Sequence, residues 1–356
     1  MKKHACGMIR VLVRGSIQLV SAGLILLNTP SLQAQSPLPV TVGAGLQSSF
    51  VHMEPSGGVS SDRFLVNSAR IYVSGPVMEN VKFMFNTEYN GVTSTIGVMD
   101  AAARFEFSPK MNFWAGRFLP PSDRSNLYGP YYSHHWAVYS DGIQDGYPFV
   151  AVGRDNGMVY WGDFGKVKVA GGGFDGASAT GNSKILGAAR VQVDFWDKES
   201  GYYLNGTYYG GKDLLAIGAA IQGQSGNTAA SFDFLMEKKL SDGSVVSIES
   251  EYANYDKLGG YDSGYASSEG AYILGSYLFP KTVGVGKFEI LGKYAEAHFR
   301  KSVGVNPAYD QKTTEVNFNY VMKEFNSRLM IFFINTDFNA VKTDFWQSGL
   351  GIQIQM

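Results

Sequence analysis

Ala189-Arg190-Val191-Gln192-Val193-Asp194-Phe195 sets Ala189, Val191, Val193 and Phe195 on one side of an extended chain, and Arg190, Gln192 and Asp194 on the other. Successive side chains of a strand point to opposite faces, so a strict two-residue period puts one face in an apolar medium and the other in water. The period recurs along the chain. Val81, Phe83, Phe85 and Tyr89 alternate with Lys82, Met84, Asn86 and Glu88, and Val316, Phe318, Tyr320 and Met322 with Glu315, Asn317 and Asn319. Leu350, Ile352, Ile354 and Met356 close the chain against Gly349, Gly351, Gln353 and Gln355. Beyond the N-terminal 34 residues, a helical stripe is conceivable only inside the segment 119–150.

Sixteen strands are expected, over 39–52, 64–74, 80–90, 95–107, 111–118, 153–163, 166–174 and 185–196, then 214–222, 228–238, 244–255, 269–279, 286–299, 312–322, 327–337 and 344–356. Short turns such as Gly75–Glu79, Ser108–Lys110, Leu240–Gly243 and Lys323–Asn326 alternate with longer segments at 53–63, 119–150, 175–184, 256–268 and 300–311. Short turns at one end, long loops at the other and an even strand number describe an antiparallel transmembrane β-barrel. Gly201–Gly210, reading GYYLNGTYYG, would be a seventeenth strand. Taking Asp197–Asp213 as one longer turn at the short-turn end keeps the count even. A soluble β-sandwich or β-helix also alternates. Against it stand the aromatics near strand ends (Phe50, Tyr89, Phe105, Phe107, Phe195, Tyr252, Tyr320, Trp346) and inward rows of Gln, Asn, Ser, Gly and charge, a poor dry core.

Composition agrees with this class. Only 17% of the 356 residues are charged and Gly numbers 43, where soluble domains average about 25% charged and about 7% Gly. An apolar content of 45% excludes a disordered chain, and a mean hydropathy near zero excludes a bundle of membrane helices. With 30 basic and 31 acidic residues there is no basic excess to drive nucleic-acid binding. Residues 1–34 read as a secretory signal: Lys2, Lys3, Arg10 and Arg14 precede an apolar run at Ile17–Leu27 and a short polar stretch ending at Ala34. Cleavage there would remove Cys6, the single cysteine, and take the formal charge from −1 to −5. Residues 35–356 then form the barrel domain, held together without disulfides.

Chemistry concentrates in 119–150, LPPSDRSNLYGPYYSHHWAVYSDGIQDGYPFV, too long and too aromatic for a plain connection. It follows the fifth strand and is expected to fold into the lumen as a constriction. The flanking runs Trp114-Ala115-Gly116-Arg117-Phe118-Leu119-Pro120-Pro121 and Val152-Gly153-Arg154-Asp155-Asn156-Gly157 resemble the phosphate-selective porin O/P family. In strand order the resemblance covers nearly all of residues 35–356, but its motifs are confined to about residues 100–165. It implies a sixteen-stranded outer-membrane channel, usually a homotrimer, with its third loop folded inward. Two departures stand out: the chain ends in Met356 where such barrels end in Phe, and no basic ladder of a strict phosphate channel is evident.

Inward-facing basic residues are expected at Arg70, Lys82, Arg104, Lys166, Lys168 and Arg190 before residue 200, and at Lys287 and Lys293 after it. Inward acids are Glu88, Asp100, Glu106 and Asp194 in the first half, then Asp233, Glu237, Glu249, Glu251, Glu289 and Glu315 in the second. Opposite walls of opposite sign would orient polar solutes crossing a lumen, unless the charges are merely scattered and solvated. The pore-lining candidates are therefore Arg70, Lys82, Arg104, Arg117, Arg124, Arg154, Arg190, Glu249 and Glu251. Guanidinium stays charged and binds carboxylate or phosphate through two donors, which suits a filter for small anionic or polar solutes. Outer-membrane lipid is the other expected partner. No cofactor or metal is expected: His134-His135 with Asp141 and Asp145 is a poor tetrahedral set, and no hydrolase or phosphate-loop motif appears. The rival functions are a plugged structural or adhesive barrel and a barrel-embedded hydrolase using His134, His135 or His298.

Overall fold

In the computed structural model, residues 39–356 are described except 92, 139, 144–152, 177–183, 260, 261, 263 and 340. The signal reading over 1–34 and Asp145 fall outside them. Sixteen strands form one closed antiparallel barrel in which each pairs with its chain neighbours and β1 closes on β16. They are β1 (Thr41–Pro55), β2 (Ser61–Met78), β3 (Val81–Asn90), β4 (Thr95–Ser108), β5 (Met111–Phe118), β6 (Asp155–Asp163), β7 (Val167–Phe174) and β8 (Leu186–Asp194), followed by β9 (Leu214–Gln224), β10 (Asn227–Lys239), β11 (Val245–Asp256), β12 (Tyr265–Val283), β13 (Gly286–Ser302), β14 (Tyr309–Lys323), β15 (Ser327–Asp337) and β16 (Phe345–Gln355). Closure satisfies the backbone of every strand and leaves no edge.

The alternation faces as read. In β8, Gly187, Ala189 and Val191 point out, while Ala188, Arg190, Gln192 and Asp194 are buried inside. Boundaries differ where loops were expected: β2 runs on through Gly75–Met78, and β12 to β14 lengthen into 265–268, 300–302 and 309–311. Lys166 lies in the β6–β7 turn, exposed, with its ammonium on the carbonyls of Phe195 and Trp196.

The interior holds two inserted segments. From the long-loop end, the described part of 119–154 enters the lumen, carrying one helix, α1 (Arg124–Tyr128). Asp123 caps it by accepting from the Asn126 amide at 2.8 Å, and Gly129, at φ 61°, ends it. From the short-turn end, residues 195–213 also turn inward and meet the first segment: the Leu204 amide donates to Leu127 O and the Gly206 amide to Tyr132 O. The sequence reading of this stretch as a non-strand connection holds, but it is a lumen insert rather than a surface turn. An aromatic cluster receives it: Trp114 lies 4.8 Å from the Tyr202 ring and 5.8 Å from Phe118, with Trp161, Phe174 and Leu186 alongside. The inward rows of β5 to β8 are thus partly an apolar core, contrary to the expectation of uniformly polar inward rows.

Candidate functional site: an arginine and tyrosine cavity along one wall

The six acids expected to form a negative pore wall are instead a docking surface. Glu249 accepts the hydroxyls of Tyr128 (2.8 Å) and Tyr272 (2.6 Å), and Glu251 accepts from Ser125 at 3.1 Å. Glu315 accepts the Trp136 and Ala137 amides, and Glu289 lies 3.2 Å from His134 Nδ1. Glu237 accepts from Thr207, Tyr208 N and Gly210 N at 2.7–2.8 Å. Asp233 receives Arg190 at 2.5 and 2.8 Å and lies 3.6 Å from Arg124 Nε. A row of buried carboxylates needs donors, and the two inserts bring hydroxyls, amides and guanidinium to them.

This arrangement relocates several candidates. Arg124 is fully buried, its two terminal nitrogens on the two Glu199 oxygens at 3.0 and 2.6 Å, so it joins one insert to the other. Arg190 is bound to Asp233 and borders only a residual space of about 10 Å³ beside Gln192 and Tyr202, and Glu249 and Glu251 lie buried under the first insert. Arg117 sits on the outward row of β5 with Phe113, paired across to Asn156, its Nε 3.3 Å from Val98 O. Lys82 stands on β3 near the short-turn end with its ammonium 2.7 Å from Glu106.

Arg70, Arg104 and Arg154 are brought together. They face a cavity of about 250 Å³ bounded by β2, β3, β4 and both inserts. Arg70 bonds Glu88 at 2.7 Å and stacks 4.5 Å from the Tyr131 ring. Arg154 Nε lies 3.1 Å from Asp100 Oδ1. Arg104 stacks on Trp114 at 5.3 Å, 3.6 Å from Glu106. Local sequence explains two of these placements. The β3–β4 ladder shifts between Asn86 and Thr87, a bulge that leaves Met99 without a partner and turns both Met99 and Asp100 inward. Gly153, at φ 69°, brings the chain so near α1 that a Cβ would stand 2.1 Å from Asn126 Oδ1, and this approach sets Arg154 on Asp100. Below the cavity a second space of about 430 Å³, between the β4–β5 turn and Gly201–Tyr203, opens toward the short-turn end. Arg104 and Tyr203 line both spaces, so the two adjoin along a single wall.

Among the electrostatically shifted groups of the inserts are Glu199, His134 and His135. Burial raises the Glu199 carboxyl, but Arg124 and Lys168 outweigh it and hold the group below its ordinary range. For His134, burial lowers the imidazole, yet the bond and charge of Glu289 prevail and it is raised. His135 is lowered, by burial first and then by Lys293, its neighbour His134 and Arg328. Ser133 Oγ lies 2.8 Å from His135 Nδ1, the serine–histidine contact a hydrolase reading requires. Both are buried at 0% and 1%, and His135 Nε2 faces the Lys293 ammonium rather than an acid, so neither reaches a solute. Among the described residues no group of three His, Cys, Asp or Glu side chains is disposed to hold a metal ion.

Tyr72, Tyr203, Met84, Met99 and Asp100 complete the cavity and were not among the candidates. A tyrosine in the inward row of β2, and the paired tyrosines of GYYLNGTYYG, were the signals available.

No protein-family model matches the chain, the phosphate-selective porin O/P family included, and no curated protein matches it. Solved structures do. The anion-selective porin from Comamonas acidovorans has a TM-score of 0.56 at 13% identity, covering 89% of this chain and 99% of that one. OmpTdeltaL8, the loop L8 deletion mutant of an outer membrane protein of Vibrio cholerae, has a TM-score of 0.55 at 12% identity, covering 89% and 99%. Outer-membrane expressed OmpT of the same organism reaches 0.54 at 11% identity, covering 89% and 97%. At these identities the likeness is one of fold: the chain is a sixteen-stranded barrel of the architecture found in outer-membrane porins.

Proposed function

We propose that the chain is an outer-membrane channel through which small anionic or polar solutes diffuse along the β2–β4 wall. One observation carries the reading: Arg70, Arg104 and Arg154 face the same cavity, and Arg104 and Tyr203 separate it from an adjoining space open at the short-turn end. Guanidinium groups hold their charge at every physiological pH and bind oxyanions while water stays near. Because Arg70, Arg104 and Arg154 each have a carboxylate partner, the preference for anions is partial rather than exclusive. The apolar outward rows fit outer-membrane lipid as the surrounding partner. A signal at 1–34, trimeric assembly and phosphate-like solutes are what the sequence and its family resemblance imply, and they belong to the same proposal. The inserts that close the acidic wall favour one other reading, a non-conducting barrel.

Purified protein in a planar bilayer separates the two. Discrete conductance steps in potassium chloride are expected, with a reversal potential on the chloride side in a salt gradient. Arg104→Gln, which removes the cavity cation whose Nε makes no hydrogen bond, shifts that potential toward the potassium side. Absence of steps would overturn the channel, and a cation-selective wild type would overturn the anionic preference.

A further inference from the structure

Ser125 carries a single O–H, and its oxygen stands 3.0 Å from Asp123 Oδ1 and 3.1 Å from Glu251 Oε2. The hydroxyl can donate to one of these carboxylates only. At the other contact two lone-pair oxygens would face each other, unless that carboxyl brings a proton of its own. The charges around them call for the same proton. About the foot of α1 lie six buried carboxyls, those of Asp123, Asp194, Asp233, Glu199, Glu249 and Glu251, and three buried cations, Arg124, Arg190 and Lys168. Arg190 pairs with Asp233 and Arg124 with Glu199, while Lys168 donates to the Glu199 carbonyl. Asp194 accepts from Gln192 and the Glu199 amide, and Glu249 from Tyr128 and Tyr272. Among the described residues no cation pairs with Asp123 or Glu251, and Asp123 Oδ2 and Glu251 Oε1 have no hydrogen-bond partner.

Two ionised carboxylates joined through one hydroxyl repel strongly where both are buried, and one proton between them removes the conflict. Burial and the charge of Asp233 raise the Asp123 carboxyl, against the pull of the Asn126 amide, Ser125 and Arg190. We infer that Asp123 and Glu251 share one proton through Ser125 Oγ at neutral pH, and that this relay is a proton-operated fastening of α1 to β11. One acid donates to Ser125 and Ser125 donates to the other, so the proton belongs to the pair. Rising pH removes it, leaves two charges facing each other beside Glu249 and Asp233, and drives α1 from the wall. Below the pH of release the folded barrel holds one proton more than the unfolded chain. Its unfolding constant therefore rises tenfold per pH unit above the ordinary carboxylate range, the opposite sign to Glu199. His134, also raised, adds to the same slope above its ordinary 6.5, and comparison with variants removes that share. The shared proton stands on the geometry alone, and its effect on current rests on the channel reading.

The test uses the full-length barrel folded in detergent, its folding checked by heat-modifiable gel mobility. Infrared spectra at neutral pH are compared between wild type and Asp123→Asn, and between wild type and Glu251→Gln. Both changes keep the side-chain shape, and asparagine caps a helix as well as aspartate does. A protonated-carboxyl stretch is expected in both differences, because either substitution lets the remaining acid ionise with Ser125 as its donor. The stretch fades from wild type on alkalinisation. In urea, from about pH 5 to about pH 8, the wild-type unfolding constant rises tenfold more per pH unit than that of either variant. In bilayers, wild-type conductance rises with pH and that of the variants does not. A stretch absent from either difference, or equal pH slopes, would overturn the shared proton. The stretch in a barrel that passes no current would support the proton and overturn the channel. A current indifferent to pH while the stretch fades would overturn the fastening and leave the channel standing.

Discussion

Replacing Lys198–Lys212 with an Asn-Gly turn raises single-channel conductance severalfold. The two stems already lie side by side, the Asp197 amide donating to Asp213 O and the Asp213 amide to Asp197 Oδ2, both at 2.9 Å, so a two-residue turn closes them without moving β8 or β9. What disappears is the short-turn-end insert: Tyr202 and Tyr203, which pack on Trp114, and the donors that cover Glu237. The open space that now follows one wall would spread across the lumen. The deletion also strips Arg124 of Glu199 and leaves it only Asp233, and leaves Glu237 only Ser247, so the barrel unfolds at lower denaturant concentration. Conductance recorded beside the wild type checks this, and an unchanged step size would place the narrowest section elsewhere.

The second large effect concerns the ion pair that ties the inserts together. Arg124 and Glu199 are both fully buried, and Glu199 also accepts from Tyr208 (2.5 Å) and Gln192 (2.7 Å). Removing one partner leaves the other buried charge only a weaker one, Asp233 at 3.6 Å for Arg124 and Lys168 for Glu199. Arg124→Met or Glu199→Leu should therefore cost roughly 3–5 kcal/mol of folding stability, while the double replacement Arg124→Met with Glu199→Leu costs much less than the sum. The pH dependence has a definite sign. Glu199 is held below its ordinary 4.5, so its contribution is complete above that pH and is lost as acidification approaches its lower folded value. Wild type should lose stability below about pH 4.5 more steeply than Glu199→Gln. Urea unfolding followed by gel mobility across this range measures both, and a fully additive double replacement would show that the pair does not couple the inserts.

How much of this was legible depends on what a two-residue period can report. It reports facing, and so all sixteen strands stand within a few residues of the sequence reading, with the inward acids and bases nearly all on the inner surface. It does not report what lies against that surface. Glu249 and Glu251 face inward as read, but whether an inward carboxylate meets water or Tyr128 and Ser125 depends on contacts between positions more than 120 residues apart. The same blindness hid the fate of GYYLNGTYYG, whose tyrosines and small residues suit a packed insert as well as a strand. Trp114, Phe118, Trp161 and Phe174 in the inward rows were the available sign that part of the lumen is dry, and their place beside polar residues masked it. Arg117 is a pore candidate whose facing, at the end of β5, depends on loop geometry, and the strand row places it outside, opposite Asn156. Arg70, Arg104 and Arg154 could be named from facing and motif. Their convergence required the bulge at Met99 and the close approach at Gly153.

Which wall conducts is the central question, and single cysteines answer it directly because the chain has none after Cys6. Asn86→Cys places a thiol on the cavity wall, and Asn317→Cys places one on the acidic wall, where Asn317 is fully buried beside Glu315. A charged, water-soluble thiol reagent added during bilayer recording should cut the current through Asn86→Cys and leave Asn317→Cys unchanged. Rapid block of Asn317→Cys with Asn86→Cys unaffected would contradict a passage along β2–β4 and put the open path on the acidic side.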